Sequence, residues 1–420
     1  MTCWLSPQCI LQPESSLDVS RALLISTFLG SHFSVRSGGH NPNIGFSSIG
    51  SEGMLIDMAK LDQVTVPQPG GSIASIGPGN RWGKVYETLS AAGRMAVGGR
   101  ANDIGVGGLL LGGGLSYWSS IHGLACSKVV LGNGSIVNAN QKSNPDLWWA
   151  LKGGGANFGI VTRFDIETID NNQIWFEGLL VDADQQDKLI EAAVDYAAEA
   201  EDDVDASATY NLGSTGGAVY LAYNKPVERP ELFQRFYDIP HQTIVNSTVG
   251  TSAEYHNAVS ALNPFSTLRR QWDLKTLLEH YERYEKASAD VQTRLNATMY
   301  LAPQIFSKAA IAATEAKGGS PLQLANESYC FLEVMINWTD AEHDEAAMQA
   351  LVDVGKDLAA SAHEMGTDLN FHYMNDAGPD QDVLASYGSM NRMRAVSRAY
   401  DPYQVFQHLQ NDGFLLGKGR

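Results

Sequence analysis

Cysteine is scarce in this sequence: Cys3, Cys9, Cys126 and Cys330 are the only four in 420 residues. They are too few for a disulfide scaffold and lack metal-ligand spacing, although a Cys3–Cys9 or Cys9–Cys126 bridge stays open. Basic residues are short as well. The 29 lysines and arginines face 47 acidic residues, and the net charge of −18 repels phosphate backbones and anionic lipid. A nucleic-acid partner is therefore not expected. No apolar run approaches the roughly 20 residues needed to cross a bilayer, so no membrane partner is expected either. Repeats and low-complexity segments are absent, and no Gly-Lys-Ser/Thr closes a Walker-type phosphate loop. The opening residues, Met1 to Pro7, lack a basic region followed by an apolar stretch and do not read as a signal peptide. Five Asn-x-Ser/Thr sequons, at Asn133, Asn246, Asn296, Asn326 and Asn337, lean the other way, towards secretion. No compartment is assigned.

What the chain has is glycine, unevenly spread. Of 41 glycines, 27 lie in the first 165 residues. That part shows short β-branched or apolar runs between turns, at 54–56, 64–66, 72–76, 135–137 and 160–166. A helix is expected over 16–29, with Ser15, Ser16 and Asp18 in capping positions, and another over 82–92. Further on, 184–199 and 340–365 read as amphipathic helices with acidic first turns, and 268–289 as another helix. Residues 207–223 and 329–337 read as strands, and 389–399 as a helix stopped by Asp401-Pro402. The chain is long enough for two domains, and the pattern is α+β.

Four glycine-rich segments carry the chemistry. The first is Arg36-Ser37-Gly38-Gly39-His40, where adjacent glycines let backbone N–H groups approach a phosphate and the histidine offers a base, ligand or covalent anchor. Alone, it also suits an ordinary turn with a satisfied histidine. The others are Gly77-Pro78-Gly79, the stretch from Gly98 to Gly114, and Gly153 to Gly159. Gly105-Val106-Gly107-Gly108 suggests a Rossmann fingerprint only superficially, because no strand–turn–helix unit and no well-placed acidic residue surround it. Four such segments together fit a cofactor with a long footprint.

These segments resemble the FAD-linked oxidases of the berberine-bridge-enzyme-like group, which have the vanillyl-alcohol-oxidase (PCMH-type) fold. The likeness rests on SVRSGGHNPNIGFSSIG (34–50), SIGPGNRWGKVYETL (75–89), VGGRANDIGVGGLLLGGGLSYWSSIHGLACS (97–127), NPDLWWALKGGGANFGIVTRF (144–164) and ASYGSMNRMRAVSRAYDPYQVFQHL (385–409). It is nearest to fungal members, many of which serve natural-product pathways. It implies a two-domain α+β flavoprotein: an FAD domain over 4–170, a substrate domain over 171–370, and a tail over 371–420 that returns to the FAD domain. It also implies FAD joined covalently through His40 to the flavin 8α-methyl group. By the same likeness, the backbone of Arg36, Ser37, Gly38 and Gly39 would hold the pyrophosphate. Gly99, Arg100, Gly105, Gly107, Gly108, Gly113, Gly114, Asn157, Gly159 and Ile160 would enclose the rest of the cofactor. Bicovalent relatives carry a cysteine where this chain has Ala101, so a single bond at most is expected. Ile104 falls where relatives tune oxygen access.

Relatives place a Tyr-x-Asn-Tyr-like segment before the last helix. Here Tyr373 and Asn375 fit, and the second tyrosine is Asp376. Tyr373 and Asp376 are the catalytic candidates, Asp376 as a base if burial raises its pKa, with Asn375 beside the cofactor. His372 is expected to be a satisfied or surface histidine. The stretch after Cys126 is shorter than in such relatives, which predicts a strand re-registered or partly lost. The expected activity is oxidation of a small organic molecule, with dioxygen reoxidising the flavin. A carbohydrate oxidase is the alternative within the class. A flavin-binding protein without turnover is the alternative outside it, favoured by Asp376 and the shortened strand.

Overall fold

The computed structural model describes residues 4–118, 124–170, 173–262, 268–273 and 277–418. Their strands form three sheets. The first is parallel, β1 (Cys9–Leu11), β2 (His32–Arg36) and β3 (Gly53–Asp57), with β3 in the middle. Helix Ser16–Leu29 links β1 to β2. The Ser15 hydroxyl caps it by accepting the Asp18 N–H at 3.2 Å, and Gly30 ends it in the left-handed region with φ 62°. Val19 and Leu23 on this helix pack against Phe33, Ile56 and Phe406, so the chain's tail closes the same small core.

The second sheet is antiparallel and joins β4 (Val64–Thr65), β5 (Ile73–Ile76), β6 (Leu124–Val130), β7 (Ile136–Asn140) and β8 (Ile160–Glu167), in the order β4-β5-β8-β6-β7. The third holds β9 (Ile174–Asp182), β10 (Ala206–Gly213), β11 (Gly216–Tyr223), β12 (Gln242–Gly250), β13 (Leu268–Asp273), β14 (Thr298–Phe306) and β15 (Tyr329–Asn337), in the order β12-β9-β11-β10-β14-β15-β13. Alternation along β15 sorts its two faces. Leu332, Val334 and Ile336 meet Leu351 and Leu358 of helix Asp344–Glu364 in one core. Phe331 points the other way and stacks with Phe371 and Tyr373, so this sheet roofs the glycine-rich part. The tail is tied down there too: Tyr400 donates its hydroxyl to Asp146 at 2.6 Å, and Phe33 bridges Gln410.

Several expectations are corrected. The stretch 268–289 is not one helix: Leu268–Asp273 is edge strand β13, paired with β15, and the helix runs Leu277–Leu295. Pairing with an open sheet edge outweighed local propensity. Residues 207–223 are a hairpin, β10 and β11, turning at Ser214-Thr215 between Gly213 and Gly216. The strand after Cys126 is whole. β6 is seven residues long and pairs on both sides, with register shifts against β8 at Leu124/Cys126 and Lys128/Val129. Cys9 and Cys126 are free thiols, so they form no bridge; Cys3 lies outside the described residues.

Candidate functional site

The glycine segments meet because little stands between their backbones. A Cβ on Gly38 would lie 2.4 Å from the Gly105 Cα, so these two loops touch main chain to main chain. The Ser37 hydroxyl fastens them. It donates to the Pro78 carbonyl and accepts the Gly107 N–H at 3.2 Å. The fourth segment joins when the Gly155 N–H donates to the Leu111 carbonyl at 2.9 Å. The result is a cleft of about 1550 Å³, counted to its open mouth. On its wall, a Cβ added to Gly108 would meet nothing within 4 Å. Bare backbone facing a long open cleft is the shape an extended dinucleotide such as FAD requires, and the residues present fit it.

His40 opens onto this cleft with its Nδ1 3.6 Å from an Asp103 carboxylate oxygen. Arg100, Ile104 and Ile160 also line it. Tyr373, Asn375 and Asp376 line it too. The Tyr373 oxygen accepts the Leu115 N–H at 2.9 Å and an Asn375 amide N–H at 2.7 Å. Burial pushes this phenol above the usual tyrosine range and the Asp376 charge adds to the rise; the two donated bonds and Arg100 pull the other way. Tyr373 is thus protonated at neutral pH. Asp376 is 3% exposed and accepts a Gln304 amide N–H at 3.2 Å, and the same amide nitrogen donates to Glu333 at 2.8 Å. β14 and β15 of the large sheet deliver those two side chains.

The model for an FAD binding domain matches residues 7–140. An FAD-dependent monooxygenase of Arthrobotrys oligospora is 35% identical over 433 residues, covering 99% of this chain and 83% of that protein. The chain belongs to this family of fungal FAD-linked oxidoreductases. A bifunctional solanapyrone synthase of Alternaria solani is 32% identical over 98% of this chain and 82% of its own length. The fold is that of the glucooligosaccharide oxidase of Acremonium strictum, whose FAD is named 6-S-cysteinyl, 8α-N1-histidyl (TM-score 0.77, 19% identity, 96% of this chain and 92% of that one).

In this flavoprotein the cleft gathers Ser37, Gly38, Gly39, His40, Arg100, Gly105, Gly107, Gly108, Gly159, Ile160, Tyr373, Asn375 and Asp376. Five residues expected around the cofactor are not among those lining this cleft. The Arg36 guanidinium pairs with Asp57 at 2.9 Å and lies over the Trp4 ring. Gly99 makes room for Trp82, since a Cβ would come 2.7 Å from its ring, and its carbonyl accepts the Tyr86 hydroxyl. Gly113 and Gly114 line a neighbouring cavity. The Asn157 side chain is used up holding the tail: it donates to the Gly154 and Phe414 carbonyls and accepts the Leu416 N–H. His372 reads as expected, with its ring against the Gln381 amide at 3.2 Å.

Sequence reading missed Asp103, Gln304, Glu333 and the tail residues Gln410 to Leu415, of which Gln410 and Asp412 to Leu415 line the cleft. A signal existed for Glu333 alone, a charge inside the otherwise apolar run YCFLEVMIN. Ala101, where bicovalent relatives carry cysteine, is 2% exposed and has no sulfur to offer.

Proposed function

We propose that this oxidoreductase holds FAD through a single covalent bond to His40 and oxidises a small organic molecule in the making of a fungal natural product. The observation that carries this reading is the convergence of His40, the four glycine segments and the Tyr373–Asn375–Asp376 group on one cleft. Bound FAD would supply the two-electron chemistry, taking hydride at N5 and passing the electrons to dioxygen. The chain's own residues do the rest. Main chain at Gly38, Gly39, Gly105 and Gly108 borders the cofactor without side chains in the way. His40 is the tether, with Asp103 facing its Nδ1. The Asp376 carboxylate takes the substrate O–H or N–H proton, steadied by the Gln304 amide. Tyr373, kept protonated by burial, is held by Leu115 and Asn375 at the reacting end. Names among the relatives support a natural-product role, since one is a solanapyrone synthase.

Acid precipitation after loading with FAD tests the tether. The wild-type pellet is expected to stay yellow, and the His40→Ala pellet to be colourless while the native variant retains some FAD noncovalently. A colourless wild-type pellet would remove the covalent role. Anaerobic bleaching of the flavin by phenolic or polyketide alcohols, against oligosaccharides, tests turnover and substrate together. No bleaching by either class would favour a flavin-binding protein without turnover.

A further inference from the structure

A second cavity, about 1080 Å³ counted to its mouth, lies beside the flavin cleft and has no part in the reading above. The segment from Gly113 to Leu115 stands between the two spaces. Leu115 lines both, and its N–H is the one that holds Tyr373. Gly113 keeps that wall thin: a Cβ there would sit 3.1 Å from the Tyr373 ring. The walls are apolar, with Leu110, Ile166, Phe306, Ile311 and Leu322 among them.

One charge in this setting makes no ion pair. The Lys152 ammonium lies 3.8 Å from the centre of the Trp148 ring and donates to the Lys317 carbonyl at 3.0 Å. Among the described residues no carboxylate comes within 4.0 Å of it. Glu167 is taken by Lys317 at 2.6 Å, and Glu315 is exposed at the rim. Burial brings the Lys152 ammonium down to about 8, and the field of Glu315 offsets this only in part. An ammonium half-withdrawn from water beside apolar walls gains most from an anionic oxygen that arrives with its own apolar body.

We propose that this cavity binds the apolar body of an amphipathic organic acid, its anionic oxygen on Lys152, and that this acid is the substrate presented to the flavin cleft. Binding follows from the cavity itself, and only the word substrate rests on the oxidoreductase reading. A neutral sugar would leave both the walls and the ammonium unmatched.

Calorimetry on the FAD-loaded protein, with decanoate and 1-decanol as probes, tests it. Decanoate is expected to bind about tenfold tighter or more than 1-decanol. Lys152→Met should erase that preference and leave decanol binding unchanged, while Lys152→Arg should keep it. Equal affinity for the two probes in the wild-type protein, or a preference that survives Lys152→Met, overturns the site. Decanoate should also shift the visible band of the flavin, and binding without a shift overturns the claim that the acid reaches the cleft. Calorimetry does not depend on turnover. A protein that binds decanoate through Lys152 yet oxidises nothing supports the site and counts against the oxidoreductase reading alone.

Discussion

Gly38 and Gly105 touch main chain to main chain, whereas β14 and β15 act through side chains, Gln304 bonding both Glu333 and the cleft residue Asp376. Before residue 168 the loops are shaped by missing side chains, and the open space at Gly108 is as much a part of the site as any atom. In the seven-stranded sheet, Leu332, Val334 and Ile336 fill a core on one face, and on the other the Gln304 amide donates to both Glu333 and Asp376. On the function proposed, the difference divides cofactor from substrate. A cofactor used by a whole family is gripped by backbone, which tolerates no side chain. A substrate particular to one enzyme is met by individual side chains on a sheet whose register can stay fixed while they change.

The largest effect should come from the side-chain half. Asp376→Asn removes the proposed base and leaves an oxygen to accept the Gln304 amide. Anaerobic flavin reduction by substrate is expected to slow by about 10²–10⁴-fold, with the flavin still bound. Reduction within a few-fold of wild type would assign the proton to another group and would make the sheet a scaffold only.

The backbone half is sharpened by a pair of glycine changes. Gly38→Ala puts a Cβ 2.4 Å from the Gly105 Cα, and that collision is with main chain, which cannot swing away. Overpacking of this kind costs about 1–3 kcal/mol, so the melting temperature should fall by several degrees and flavin should be lost. Gly108→Ala meets nothing within 4 Å and sits inside helix Val106–Leu111. There alanine is favoured over glycine by roughly 0.5–1 kcal/mol, so stability should hold or rise while FAD binding weakens. Thermal melts read beside flavin retention separate the two. If Gly108→Ala bound FAD as well as wild type, the cleft at that point would not be the cofactor's.

This contrast also explains what was legible. Short glycine-rich segments were readable because close backbone approach admits one residue type, so Gly38 and Gly105 stand out in the sequence. At Gly99 and Asn157 the same signal coincides with packing: Gly99 makes room for Trp82 and Asn157 holds the tail. A motif marks a constrained backbone without saying whether the constraint comes from a ligand or from packing. Strand 329–337 was legible from its run of apolar residues, and β13 was not, because what makes Leu268–Asp273 a strand is the open edge of β15, more than fifty residues on. Asp103 and Gln304 carry no local signature at all. Their positions follow from contacts across 63 and 72 residues respectively, to His40 and to Asp376.

The smallest effect concerns the seam between the two regions. His256, on helix Ser252–Leu262, is 2% exposed and stacks on Tyr86 of the glycine-rich part with ring centres 3.8 Å apart. Its Nδ1 bonds the Ser252 carbonyl oxygen at 2.6 Å, and its Nε2 is buried with no hydrogen-bond partner. Burial lowers the ring to about 4 from an ordinary value of 6.5. Between those values the unfolded chain binds a proton that the folded chain refuses. The stability this ring contributes is therefore complete above the ordinary value and declines as pH falls towards the lowered one, by at most about 1.4 kcal/mol per pH unit. His256→Phe keeps the stack on Tyr86 and removes the titration. Its urea midpoint should lose less than that of wild type between neutral pH and pH near 5, because only the wild-type seam carries a ring that acid can charge. Equal losses in the two proteins would place the acid sensitivity in other groups and leave the seam indifferent to pH.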